Sequence, residues 1–189
     1  MNNRLILVDI DETVLNFSDP FEKWLVSRGW EMKEKMRDVY DLTRLLDVKL
    51  DRVMEILHEY HTECEEFGML EPESCAAVVL PQLHTLGYRF VAISAAVGTQ
   101  EVRDIRANNL KNAFGFEFED VICTGLRGDK EPILALHQPA IWVEDNFKHA
   151  VTGAELGHKT FMITRGYNVG REHPLVTRVD GWHDIQKAI

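Results

Sequence analysis

Cysteine is scarce in this chain. Cys64, Cys75 and Cys123 are widely spaced and form no CxxC pair, which leaves no disulfide framework and no cysteine-rich zinc site. The set reads as reduced thiols in a cytoplasm-like compartment. Cations are in deficit: 21 Lys and Arg stand against 31 Asp and Glu, a formal net charge of -10. That argues against a nucleic-acid polymer as a tightly held partner, because binding its backbone needs clustered Lys and Arg. A small phosphorylated substrate needs only one or two local cations and is not excluded. Long apolar runs are missing as well. The polar lead Met1 to Arg4 opens onto the short run Leu5-Ile6-Leu7-Val8, too short for a signal peptide or a membrane span. We read it as a buried strand and expect a cytoplasmic protein with no membrane partner. Internal repeats, low-complexity segments and Ser/Gly linkers are also absent.

Hydrophobic residues make up 45% of the 189, enough for a sizeable core in one domain or a core with a modest insertion. Strand and helix patterns alternate, which predicts an α/β, Rossmann-like, doubly wound parallel sheet covered by helices. Strands are expected over 4–8, 89–94, 120–124, 140–143 and 159–164, each short and rich in Val, Ile or Phe. Such near-continuous apolar runs suit strands buried on both faces. Helices are expected over 72–86, with a kink or split at Pro81, over 99–110 with Thr99 as N-cap, over 147–156 and over 183–189.

Residues 18–70 break the alternation. Asp19-Pro20-Phe21-Glu22 reads as an N-cap aspartate, a first-turn proline and a capping-box glutamate, with that helix stopping near Gly29. A longer helix is expected over 50–67. The chain thus divides into a core of residues 1–17 and 71–189 and a helical cap of residues 18–70.

The richest stretch is Asp9-Ile10-Asp11-Glu12-Thr13. Two carboxylates one residue apart at a strand end repel each other and lose hydration. A bound cation is the usual way to make such a pair tolerable. Ligands of doubly wound sheets gather at the carboxyl ends of the strands, and other reactive groups fall there too. Ser94, followed by Ala95, ends one strand; Lys130 follows another in Gly128-Asp129-Lys130; Glu144-Asp145 ends a third. Taken alone, Ser94 is an ordinary strand-end hydroxyl and Lys130 a surface lysine. Together the set fits phosphoryl transfer through a carboxylate. Asp9 would attack phosphorus, and Asp11 would protonate the leaving alcohol and then activate water. Ser94 and the Ala95 backbone N–H would hold phosphoryl oxygens, while Lys130 neutralises charge. Asp9 and the second acidic pair would hold a metal, and hard oxygen ligands with an anionic substrate favour Mg²⁺. Of that pair, Asp145 is preferred as the direct ligand because it lies further past the apolar strand. Glu144 would then bind through water or orient Lys130.

These residues, in this order, resemble the haloacid dehalogenase superfamily of phosphotransferases. Asp9-Ile10-Asp11-Glu12-Thr13 is similar to its DxDx(T/V) motif, Ile93-Ser94-Ala95 to its second motif, Lys130 to its third-motif lysine and Glu144-Asp145 to its fourth. The resemblance implies Asp9 as nucleophile, Asp11 as acid/base and the Asp11 backbone carbonyl as a metal ligand. The early helical insertion looks like the superfamily's small cap. Size and cap are similar to the 5′(3′)-deoxyribonucleotidases, where an aromatic residue at the position of Phe17 stacks a nucleobase. Those enzymes carry Gly and Ser where this chain has Glu12 and Ala95. The Asp-Glu-Thr run is similar instead to secreted acid phosphatases of the superfamily. The implied substrate is a small phosphomonoester such as a nucleoside 5′-monophosphate, with nucleic-acid ends, sugar phosphates and phosphoglycolate as alternatives. A non-catalytic module holding Mg²⁺ or phosphate is the alternative of another class.

Three weaker features remain. His58, His61, Cys64 and Glu65 share one helix at neighbouring spacing, but a solvated helix face explains them better than a metal. Phe21, Trp24, Trp30 and Tyr40 could line a base-stacking pocket with Phe17, but read mainly as the cap's own core. Arg165-Gly166-Tyr167-Asn168 follows a strand end and could edge the pocket, but reads better as a plain loop.

Overall fold

A computed structural model describes residues 4–189; Met1 to Asn3, the polar lead into the first strand, lie outside the described residues. The strands are β1 (Leu5–Val8), β2 (Arg89–Ser94), β3 (Asp120–Cys123), β4 (Ile141–Glu144), β5 (Lys159–Ile163) and β6 (Val176–Val179). They form one sheet in the order β3-β2-β1-β4-β5-β6, and every pair is parallel. This is the α/β doubly wound architecture that the alternating pattern predicts. β1 lies in the middle, with Ile6 opposite Phe90 on one side and Ile141 on the other. Its four residues are all buried, as a strand covered on both faces must be. Strand order reverses between β1 and β4, and a crevice opens there at the carboxyl ends.

β6 was not expected. Val176-Thr177-Arg178-Val179 has only Val179 buried, because an edge strand needs little apolar sequence. Between β1 and β2 run α1 (Ser18–Ser27), α2 (Leu42–Leu46), α3 (Leu50–Glu63) and α4 (Ser74–Thr85). The helix expected over 50–67 breaks at Cys64, and a 3₁₀ turn at Glu65–Met69 follows. Asp19 does not cap α1. Phe17 occupies the N-cap position, and Asp19 lies in the first turn, paired with Arg37 at 2.9 Å. Glu22 accepts instead from the Met36 backbone N–H. α4 runs through Pro81 without splitting. Burial of Val79, Leu80 and Leu83 outweighs the one backbone bond that proline removes.

The remaining helices are α5 (Gln100–Phe114), α6 (Glu131–Leu134), α7 (Phe147–Glu155) and α8 (Trp182–Ala188). Thr99 caps α5 through the Val102 N–H, as its sequence predicts. Two apolar clusters cover the two faces of the sheet. One joins Ile6, Val8 and Phe90 to Phe17, Phe21, Tyr60 and Phe67 of the segment 18–70, so that segment shares its apolar interior with the sheet. The other holds Leu5, Leu7, Ile93, Leu134 and Trp142.

α7 crosses β4 at Gly153. A Cβ there would stand 2.3 Å from Trp142 Cδ1, on a ring that is fully buried. Gly153→Ala is therefore expected to destabilise the fold by about 1–3 kcal/mol despite alanine's better helix propensity. A fall in the urea midpoint at unchanged slope is the check.

Candidate active site

β1 hands the chain to a tight turn. Asp9 N–H still bonds to Val143 O at 2.9 Å, and the N–H groups of Val14 and Leu15 both reach Ile10 O at 2.9 Å. Glu12 adopts φ +59°, a strained conformation for a side chain that is not glycine. Contacts to Glu12 and to the next residue, Thr13, hold the turn there. Arg165 Nε donates to the Glu12 carbonyl at 2.8 Å. The Glu12 carboxylate accepts from the N–H groups of Phe17 (3.0 Å) and Ser18 (2.7 Å), capping α1. Trp182 Nε1 donates to Thr13 O at 2.8 Å. The cap that sequence assigned to Asp19 is thus supplied from the site turn.

Lys130 reaches the same place from the loop after β3. That loop passes so close to itself at Gly128 that a Cβ would lie 2.0 Å from Thr124 O. Lys130 is 2% exposed, and its Nζ donates to Asp9 Oδ1 at 2.5 Å and to Glu144 Oε2 at 2.8 Å. The other Glu144 oxygen, Oε1, accepts from the N–H groups of Asp145 (3.1 Å) and Asn146 (3.0 Å). Glu144 is therefore fully engaged by protein donors. Asp145 receives the Thr13 hydroxyl at 3.2 Å and the Tyr167 hydroxyl.

Carboxylate oxygens of Asp9, Glu144 and Asp145 lie within 4.8 Å of one another, all three residues buried. Burial, then the charges of Glu144 and Asp11, push Asp9 up to about 7 against the pull of Lys130. Burial and the neighbouring Glu144 and Asp9 charges hold Asp145 well above the usual carboxylate range. Glu144 is burdened by burial too, but the Lys130 charge holds it below its ordinary value. Burial opposes the charge of Lys130, yet Asp9 and Glu144 outweigh it and keep the ammonium above its usual range. Asp9 and Asp145 therefore bear an electrostatic cost that a divalent cation would remove. Their oxygen donors could hold such a cation.

Asp11 faces a different partner. Its Oδ1 accepts from Arg106 Nη2 and its Oδ2 from the Ser94 hydroxyl at 3.3 Å. Arg106, on α5, is fully buried, with its guanidinium 4.7 Å from the Phe67 ring centroid. Along the sequence Arg106 is only one position of the helix expected over 99–110. The available signal was a cation on the face shared with Val102 and Leu110, where a charge needs a counterion.

The turn, Lys130 and Asp145 open into a cavity of about 410 Å³, within the range of small-ligand sites. Asp9, Asp11, Ala95, Lys130, Glu144 and Asp145 line its floor, and Phe17, Tyr40, Leu57 and His61 line it from the segment 18–70. Phe17 is buried against Phe21 and Tyr60, with ring centroids 5.2 and 5.6 Å away. Phe21 and Trp24 belong to the apolar core, and Trp30 packs on its edge. Tyr40 is 56% exposed and lies 5.4 Å from Tyr167, centroid to centroid. The segment Arg165 to Asn168 is not a plain loop: Arg165 holds Glu12, Tyr167 holds Asp145, and Asn168 Nδ2 donates to Asp145 O at 2.7 Å. Its place after a strand end pointed to the edge of the pocket, which Tyr167 does line, but its partners are not legible along the chain because the contacts span more than twenty residues. His58, His61, Cys64 and Glu65 do not gather into a metal site among the described residues. Cys64 Sγ donates to Glu66 at 3.6 Å, and His61 turns inward.

The Arg106–Asp11 pair carries a stability test. Asp11→Asn leaves a buried guanidinium without its counterion and should cost about 3 kcal/mol or more. Adding Arg106→Met should recover most of that loss, a coupling that a double-mutant cycle in urea measures.

No protein-family model matches the sequence, and no curated protein matches it either. Solved structures do. A dehalogenase with an intermediate complex aligns at TM-score 0.65 and 15% identity, covering 100% of this chain and 98% of that one. A HAD family hydrolase from Deinococcus radiodurans R1 with bound phosphate and sodium aligns at TM-score 0.61 and 17% identity, covering 98% and 93%. An L-2-haloacid dehalogenase from Xanthobacter autotrophicus aligns at TM-score 0.57 and 12% identity, covering 99% and 98%. Likeness across nearly whole chains at such low identity is likeness of fold. The chain has the α/β fold of the haloacid dehalogenase superfamily hydrolases.

Proposed function

We propose that this protein is a Mg²⁺-dependent phosphomonoester hydrolase working through an aspartyl-phosphate. The observation that carries the proposal is the buried Lys130, bonded to Asp9 at 2.5 Å and Glu144 at 2.8 Å, beside an Asp145 that protein donors leave in need of a cation. Asp9 Oδ attacks phosphorus and the P–O bond to the leaving alkoxide breaks. Asp11 gives that oxygen a proton, then takes one from water as the water attacks phosphorus and frees Asp9 and phosphate. The Ser94 hydroxyl turns from Asp11 to a phosphoryl oxygen, with the Ala95 N–H beside it. Lys130 offsets charge on Asp9 and the transferring group. Asp9, Asp145 and the Asp11 carbonyl would hold Mg²⁺, which supplies Lewis-acid stabilisation of the phosphoryl oxygens. Glu144, engaged by Lys130 and two backbone N–H groups, orients Lys130. Residues 18–70 serve as the cap on a core of 1–17 and 71–189, with Phe17 against the substrate.

The neighbours include dehalogenases, and displacement of halide from a 2-haloacid is the second reading. The charge of the cavity favours the first. Carbon displacement has no use for a cation, so clustered Asp9, Glu144 and Asp145 would be a cost without return. The substrate is a small phosphorylated metabolite, plausibly a nucleoside 5′-monophosphate. Free Cys64, Cys75 and Cys123 support a reducing, cytoplasm-like compartment, and among the described residues no helix is long and apolar enough to cross a membrane.

A screen of nucleoside monophosphates, sugar phosphates, phosphoglycolate and 2-chloropropionate tests the reading. Phosphate release should require Mg²⁺, stop with chelator and fall by at least about 10³-fold in Asp9→Asn. Chloride release without metal, or full phosphatase activity in Asp9→Asn, would overturn it.

A further inference from the structure

The cap wall of the cavity holds two buried polar groups without partners. His61 is 4% exposed and Ser18 3% exposed. His61 Nε2 and Ser18 Oγ have no hydrogen-bond partner, and both residues line the cavity. A buried donor without a partner costs free energy that only a ligand or water can return.

The state of His61 follows from its surroundings. The Val97 backbone N–H donates to His61 Nδ1 at 3.3 Å, so Nδ1 is the acceptor and the proton sits on Nε2. Burial, with Arg106 and His58 adding to it, pushes the ring down to about 3. His61 is a neutral N–H donor throughout the physiological range. Its ring is fixed by stacking on Phe67 at 4.3 Å.

The neighbours define the ligand. Val53, Leu57 and His61 recur every four residues on α3 and all line the cavity, so His61 is the polar end of an apolar stripe. Carboxylates of Asp9, Asp11, Glu144 and Asp145 line the opposite side, with Lys130 the one Lys or Arg among the described lining residues. A second anionic group on the substrate would meet repulsion there with no free cation to offset it.

We propose that His61 Nε2–H and Ser18 Oγ–H are specificity donors for an uncharged acceptor, such as a ring carbonyl, on a leaving group whose body lies along Val53 and Leu57. This rests on the phosphatase reading for the identity of the reaction. It selects carbonyl-bearing esters over phosphoglycolate, whose carboxylate is charged, and over plain sugar phosphates, which leave the apolar stripe uncovered.

The test compares kcat/KM for uridine 5′-monophosphate and ribose 5-phosphate in the full chain. The wild type should prefer the uridine ester. His61→Asn keeps an acceptor for Val97 N–H but lacks the Nε2 donor, and Ser18→Ala lacks the hydroxyl. Each should cut the preference by about five- to tenfold, the loss expected for one neutral hydrogen bond. Ser18→Ala keeps the test alive should His61→Asn fold poorly. A preference unmoved in both variants, or no preference in the wild type, overturns the proposal. Binding of uridine 5′-monophosphate is measured alongside by calorimetry in an Asp9→Asn background. Absent turnover with binding still weakened by His61→Asn would fail the phosphatase reading alone. Robust turnover with an unmoved preference would fail this one alone.

Discussion

Lys130 bonded to Asp9 and Glu144 is the interaction around which the site is arranged. A lysine that is 2% exposed survives as a cation only where fixed carboxylates replace its water. Three different elements supply the parts: Asp9 at the end of β1, Glu144 at the end of β4, and Lys130 from the loop after β3. Because β1 and β4 are hydrogen-bonded neighbours in the middle of the sheet, their end residues stand side by side, and the lysine ties them together. Removing Lys130 would leave Asp9 and Glu144 as buried carboxylates with no counterion. The same geometry leaves Asp9, Glu144 and Asp145 with more negative charge than Lys130 neutralises, so the three buried carboxylates could hold a cation.

A second constraint acts on the turn that carries Asp11. Glu12 at φ +59° is held by Arg165, and Thr13 by Trp182. The strain is compensated by contacts from the carboxyl-terminal part of the chain. Glu12 also caps α1, so one side chain joins the turn to the helical segment that roofs the cavity. The Glu12 carboxylate thus has structural work to do. Asp11 is held between Arg106 and Ser94.

Much of the frame was legible because it depends on local pattern. Apolar runs such as Leu5-Ile6-Leu7-Val8 and Ile141-Trp142-Val143 report strands buried on both faces, and Thr99 reports a helix start through a contact three residues away. The reading failed where a distant partner overrode the local preference. Asp19 has the sequence of a cap, yet Phe17 holds the N-cap position and the Glu12 carboxylate arrives from the site turn to accept the first N–H groups. Pro81 was expected to kink or split α4, and the helix does not split, because burial of its neighbours carries it through. Val176–Val179 escaped notice because an edge strand buries little.

The sequence by itself determined that Asp9, Asp11, Ser94, Lys130 and the pair Glu144-Asp145 fall at or just past strand ends, since strand pattern and residue type are both read along the chain. Only the tertiary structure decided which of them touch. It gave Lys130 to Asp9 and Glu144, left Asp145 to Thr13 and Tyr167, and brought Arg106 from α5 and His61 from α3 into the same small volume. Hydrogen bonds and charge pairing act over a few ångströms in space, and a residue's spatial neighbours are set by how the sheet and helices pack, not by its place in the chain.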